Sequence, residues 1–332
     1  MKKYKNITLC FLLIANVFFL PVASALDSIE ELFNGTWEGV EVMGCDYQTS
    51  NYVRTLIPLE KGSQFLPDRK KLKSWCDIAK EKTGKEIKCS VIGYVEGKYY
   101  FGIEIIPGSM ERFRSIPQNS KQIAFLPEIL NDLYQRWERG FSEHMQKDTV
   151  PKQFYQDGYL QCSDPTLQLV SAKLAQNTPN YNQVLLDILR YSNNPDERTK
   201  AATLLSWSKH PSNVDIIINE NLINDADDNV RNELVRTISY VINDVTDEKV
   251  IEKSIWALCR QAGLPSHSDR TKALAAILTI VHNNKNHASF INGECEREIN
   301  YISQMSILPN VAGTAKEILR HMKSESSYPN QS

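Results

Sequence analysis

The sequence predicts an α+β domain at the N-terminus followed by an all-α solenoid of helical hairpins. Three observations carry that expectation. Arg198-Thr199-Lys200-Ala201 returns as Arg270-Thr271-Lys272-Ala273, and each copy opens an apolar helical stretch. Between the copies, Asp227-Asp228-Asn229-Val230-Arg231 precedes Leu234, Val235, Ile238, Val241 and Ile242. An acidic start, an arginine and a helix-spaced apolar face thus recur at a period of roughly 36 residues, which suits units that bury their apolar faces on their neighbours. Strand signals, by contrast, are confined to residues 30–125.

The first 25 residues read as a cleaved export signal. Lys2, Lys3 and Lys5 precede the apolar run Ile7–Leu20, and Pro21 with Ala23-Ser24-Ala25 supplies the break and the small-residue cleavage pattern. The run is short for a membrane span and contains Asn16. Cys10 lacks the preceding small residue of a lipoprotein box, so no lipid anchor is expected. The mature chain is expected to be soluble, without a membrane span, and periplasmic or secreted.

Six cysteines remain after the signal: Cys45, Cys76, Cys89, Cys162, Cys259 and Cys295. An even number in an oxidising compartment suggests disulfides, and six cysteines allow fifteen pairings. Four lie in the first half and two in the second, which favours Cys259–Cys295 and two bridges among the other four. Zinc is disfavoured, since there is no Cys-x-x-Cys pair and no histidine near the first four.

Removing the signal takes three lysines from 38 basic residues against 40 acidic ones, leaving a net charge of about −5. The balance is even in both halves, which argues against a nucleic-acid partner.

Four elements are expected in residues 26–162. Gly35–Met43 alternates as a strand, and Cys89–Ile106 reads as a hairpin about Glu96-Gly97. Asp68–Lys82 is expected as a helix, with Leu72, Trp75, Ile78 and Ala79 on one face. A longer helix starts at Pro127, with Leu130, Leu133, Trp137 and Phe141 as its apolar stripe. Residues 151–162 read as an aromatic-polar loop. Ser163 or Asp164 then caps a helix at Pro165, and residues 163–323 read as helical throughout. The pairs are centred on 184–189 with 196–209, 214–223 with 230–242, 250–260 with 271–282, and 294–305 with 311–322. The tail 324–332 is polar and expected to be disordered.

From Tyr181 to Met322 these residues resemble HEAT repeats, most closely over Asn224–Ile242. Asp227, Asp228, Val230 and Arg231 look like that family's acidic turn followed by Val-Arg, and Asn194-Pro195-Asp196 with Arg198 is similar. Ser268-Asp269-Arg270 is a weaker third instance. The stretch from Asp164 to Leu205 also resembles the lead-in of exported bacterial proteins that carry such repeats. The resemblance implies a fold and a type of binding surface, and no reaction. Physically, Asp196, Asp228 and Asp269 suit helix starts, while Arg198, Arg231 and Arg270 can bridge to acids of the next unit. They are expected to be structural ladder residues.

Motifs for chemistry fail on inspection. Asp225-x-Asp227-x-Asn229 starts like a calcium loop, but Val230 and Arg236 occupy the glycine and bidentate-acid positions. His282 and His287 lack the four-residue spacing of a helical metal pair. Ser266, His267 and Asp269 have no nucleophile elbow. Ser142-Glu143-His144 lies at a helix end and reads as solvated. Glu38, Glu41 and Glu104 could serve a glycan-cleaving site, though strand carboxylates of this kind are expected to face solvent. Tyr94, Tyr99, Tyr100 and Phe101 suit ordinary sheet packing, and alternation puts Tyr100 on the face opposite Tyr99 and Phe101, where exposure is one alternative. Arg69, Lys70, Lys71 and Lys73 form the one concentrated basic segment; with Asp68, Asp77, Glu81 and Glu86 diluting it, it is expected to be a solvated helix face, and contact with an anionic surface is the alternative. The leading expectation is a non-enzymatic, exported scaffold that binds a protein partner, with no cofactor or metal. The alternative is a secreted enzyme or carbohydrate-binding module in residues 26–162.

Overall fold

The computed structural model describes residues 35–65, 68–94, 97–106, 113–116, 125–147 and 149–326. The signal segment, the Glu96 position of the hairpin turn and residues 327–332 lie outside them. Helix predominates, with a small sheet near the N-terminus.

Strands β1 (Thr36–Met43), β2 (Ile87–Tyr94) and β3 (Lys98–Ile105) form a sheet in the order β1-β3-β2. The β2–β3 pair is the expected antiparallel hairpin, and β1 lies parallel to β3 with a register shift between Trp37 and Gly39. Gly44 takes the chain off β1 at φ +81°, where a Cβ would sit 2.1 Å from the Ile105 carbonyl oxygen. Only glycine fits that exit.

Helices α1 (Tyr47–Leu56) and α2 (Arg69–Thr83) cover one face of the sheet. Asp46 and Asp68 cap them, accepting from the N–H groups of Thr49 and of Lys70 and Lys71. Trp37, Val42, Phe101, Ile103 and Ile105 alternate onto this face and pack with Val53 and Trp75. The opposite face is also buried: Met43, Ile92 and Tyr100 join the larger core of the helices. Tyr100 is 4 % exposed. Of the two alternatives for Tyr100, sheet packing holds, because the sheet is covered on both sides.

Helix α3 (Glu128–Gln146) starts at Pro127, as the sequence indicates, and buries Leu130, Leu133 and Trp137. The expected loop 151–162 is instead a hairpin of β4 (Gln153–Gln156) and β5 (Tyr159–Cys162). Its turn is Asp157-Gly158, with φ of 56° and 79°. That dipeptide favours positive φ at both positions and so closes a two-residue turn.

Asp164 caps α4 (Pro165–Asn177) through the Leu167 N–H. Four helix pairs follow: α5 (Asn182–Tyr191) with α6 (Pro195–Leu204), α7 (Ser212–Asn219) with α8 (Asp228–Val241), α9 (Glu248–Ala262) with α10 (His267–Asn283), and α11 (Gly293–Met305) with α12 (Pro309–Ser326). The second helices pack side by side, α6 on α8, α8 on α10 and α10 on α12, and among the first helices α7 and α11 flank α9. Helix α12 runs through Ser326, so the first residues of the expected tail are helical.

Candidate functional site

The recurring arginines lie at the starts of the second helices and form a buried seam. Arg198 of α6 grips Asp225 with two hydrogen bonds, Nε to Oδ2 at 2.9 Å and Nη2 to Oδ1 at 2.8 Å, and donates to the Ser192 carbonyl. Arg231 of α8 donates to the Asp225 carbonyl at 2.7 Å and reaches Asp269 of α10 through Nη2 at 2.6 Å. Asp225 and Asp269 are fully buried. Among the described residues no carboxylate lies within hydrogen-bond reach of Arg270 of α10, which donates instead to the carbonyls of Ala262 and Leu264.

Burial tends to raise the Asp225 pKa, but bonds from Arg198 and the Asp227 N–H and the charge of Arg114 together pull it below the usual range. At Asp269 burial prevails over Arg231, and the pKa is raised. The charge-assisted pairs join one helix pair to the next, and each remaining polar atom matters because the surroundings are dry.

A strap from the first half enters this seam. Arg114 also binds the Asp225 carboxylate and the Leu189 carbonyl, and its backbone N–H donates to the Asn224 carbonyl at 2.8 Å. The Phe113 ring stands 4.6 Å from the Arg231 guanidinium. Asp225 therefore holds two arginines, one from each half of the chain.

The sheet docks on the same row of helix starts. Glu104 of β3 accepts from the His267 backbone N–H at 3.0 Å, and Glu41 of β1 accepts from the Ile307 N–H at 2.8 Å, just ahead of α12. Lys88 of β2 meets Asp228 at 2.9 Å. Glu41 is 0 % and Glu104 7 % exposed, and burial raises both pKa values. The expectation that these carboxylates face solvent is corrected: their face of the sheet lies against the helices, where orphan N–H groups attract them. Glu38, with Thr36 and Lys61 beside it, is apart from that row. Burial, with help from Arg270, lowers the His267 pKa to about 4.

The expected ladder acids fare differently. Asp269 receives Arg231, Asp228 is the docking point for Lys88, and Asp196 is exposed at the first turn of α6, where Asn194 provides the cap. Asp225 is the acid that Arg198 uses. Its sequence signal was present in the Asp225-x-Asp227 turn, but the reach of 27 residues back to Arg198 is set by the packing.

Cys259–Cys295 joins α9 to α11, with Cα atoms 5.2 Å apart, and Cys76–Cys89 joins α2 to β2 at 6.0 Å. Cys45 and Cys162 are free, which corrects the expectation of a second bridge in the first half. Cys162 packs in the larger core and Cys45 against the smaller one. Burial, then the Asp46 charge, pushes the Cys45 thiol up to about 11.

Arg69, Lys70, Lys71 and Lys73 lie exposed on α2, Lys71 over the Trp75 ring at 5.1 Å. His144 pairs with the capping Asp164 at 3.2 Å, so it is not simply solvated. His282 packs edge-on to His321, apart from His287. His287 lines a cavity of about 490 Å³ between the ends of α8 and α10, together with Glu248, Asn243 and Asn283 over an apolar floor. Among the described residues, no cluster of His, Cys, Asp and Glu is arranged to hold a metal ion, and no helix is long and apolar enough to cross a membrane.

No family model matches the chain, and no curated protein matches it either. Among solved structures it is similar to an engineered protein from a structural genomics consortium, at 15 % identity over 49 % of this chain and 75 % of that one, with a TM-score of 0.34. At that TM-score the likeness bears on neither fold nor function.

Proposed function

We propose that this protein is an exported, non-enzymatic scaffold with a HEAT-like helical-hairpin solenoid, which binds a protein partner across its helices. The observation that carries this reading is how the seam is closed. Glu104 caps the start of α10 from the sheet, Glu41 holds the Ile307 N–H ahead of α12, Lys88 holds Asp228, and Arg114 fills the remaining side of Asp225. The starts of the second helices are thereby engaged within the chain. The outer face of the first helices stays open to a partner. It is braced from one helix to the next by Arg190 with Glu220 at 2.6 Å and by Lys253 with Asn219 at 2.9 Å. A face made of repeated, regularly spaced helices suits many modest contacts with another protein. The alternative enzyme reading loses two of its acids, since Glu41 and Glu104 are spent on backbone N–H groups.

The test is affinity capture from native exported material under non-reducing conditions, using the mature chain and a variant carrying Arg190→Glu and Lys253→Glu. A saturable partner that the variant fails to retain supports the reading. Retention by both baits, or no partner at all, overturns the assignment of this face.

A further inference from the structure

We propose that the cavity between the ends of α8 and α10 is a binding site for an organic cation, an ammonium or guanidinium group carried on a short methylene stem. The cavity holds about 490 Å³, within the range of small-ligand sites. Its floor is Ile242, Val245, Ile251 and Ile280, an apolar surface that accepts methylenes.

Its charged group is Glu248, whose side chain is 62 % exposed at the mouth. The Glu248 carboxylate is aimed by His287, whose Nε2 lies 3.1 Å from Oε2. His287 is 8 % exposed, lies parallel to the Phe290 ring and leaves Nδ1 buried without a partner. The same Nε2 lies 3.0 Å from the Asn284 side-chain amide nitrogen, so the imidazole, the Asn284 amide and the Glu248 carboxylate form one polar cluster at the mouth of the cavity.

The lining contains no lysine or arginine. Helix α8 ends into a 3₁₀ turn at Ile242–Asp244 and α10 ends at Asn283, so two helix C-termini face the cavity; the start of α9 faces it as well, capped by Asp247 and carrying the Glu248 charge in its first turn. Asn283 Nδ2 donates to Asn243 Oδ1 at 2.7 Å, joining the two ends across the rim. An anion would meet Glu248 and both helix ends. A cation meets a positioned carboxylate, rim amide oxygens and a floor for its stem.

An exposed carboxylate yields a modest ion pair, so binding is expected in about the millimolar range. The experiment is an NMR titration of the mature protein, following the side-chain signals of Asn243, Asn283 and His287. The probes are N-acetyl-lysine methylamide and N-acetyl-arginine methylamide for a partner's side chain, cadaverine and agmatine for free amines, and N-acetyl-norleucine methylamide as the uncharged control. The expected result is saturable shifts with the cations, and about tenfold weaker binding of the norleucine control. Glu248→Gln should weaken the cations about tenfold and leave the control unchanged, with an unaltered unfolding midpoint. Preference for the amino-acid derivatives assigns the site to a protein side chain, and preference for the free amines assigns it to a small metabolite. Equal binding of cation and control, or no shift with any cation, overturns the proposal. The titration uses no partner, so its outcome is separate from that of the capture experiment.

Discussion

The Glu104 carboxylate accepts the backbone N–H of His267 across 163 residues of sequence, at 3.0 Å. A strand thus caps a helix that begins in the other half of the chain, where Ser266 makes no side-chain cap of its own. Loss of a capping oxygen costs about 1–2 kcal/mol. Glu104→Ala is expected to destabilise the protein by that amount in urea unfolding, and Glu104→Gln, which keeps an acceptor, by less than half of it. Equal losses would mean that the charge, and not the cap, is what matters.

Arg231 and Asp269 are a buried pair, with side chains 5 % and 0 % exposed. Removing one partner leaves a dry, uncompensated charge, which costs about 3–5 kcal/mol. Arg231→Ala should lower stability by that much, and Phe113 would lose the cation beneath its ring. The double change Arg231→Met with Asp269→Leu should cost much less than either truncation, because no unpaired charge remains. A double variant as unstable as the singles would refute the coupling.

His267 binds its proton only below about pH 4 in the folded chain, against an ordinary value of 6.5. Between those values the unfolded chain holds more protons, so stability rises with pH across the window and is lost as pH falls from 6.5 to 4. The shift corresponds to about 3 kcal/mol at most. Glu41 and Glu104, with raised values, act in the opposite sense on acidification. The comparison is therefore between the native protein and His267→Leu, whose stability difference should shrink or reverse on going from pH 7 to pH 4. Parallel pH profiles would count against a buried neutral imidazole.

Peptide mapping without reduction should recover Cys76 joined to Cys89 and Cys259 joined to Cys295, with Cys162 alkylated only after unfolding and the half-buried Cys45 alkylated slowly in the folded chain. The bridges span 13 and 36 residues. By loop entropy they contribute about 3 and about 4 kcal/mol, so Cys259→Ala with Cys295→Ala should be the costlier pair to lose. A Cys45–Cys162 peptide would contradict the assignment of both as free thiols, and a bridge joining either to one of the other four would contradict the pairing.

Much of this fold was legible in local chemistry. Asp164-Pro165 marks the start of α4, Asp227 that of α8 and Asp68 that of α2, because a cap is a short-range bond whose donor lies two or three residues away. Two local signals went unread: Asp46 with Thr49 at the start of α1, and Asp157-Gly158 in the β4–β5 turn. The first was masked by a helix that buries only Ser50 and Val53. The second lay in a segment whose alternation spans just four residues on each side.

By itself, the sequence determined the helix pairs, the strand hairpin and the recurrence of Arg198, Arg231 and Arg270, since periodicity and capping act within a few residues. Tertiary structure decided which acid each arginine takes, that Asp225 serves both Arg198 and Arg114, and that Glu41 and Glu104 are buried. Alternation along a strand separates two faces but does not say what covers each. The polar residues on the second face found partners because helix starts with unmet N–H groups lay against them. That is a property of packing between distant segments, where geometry replaces spacing as the cause.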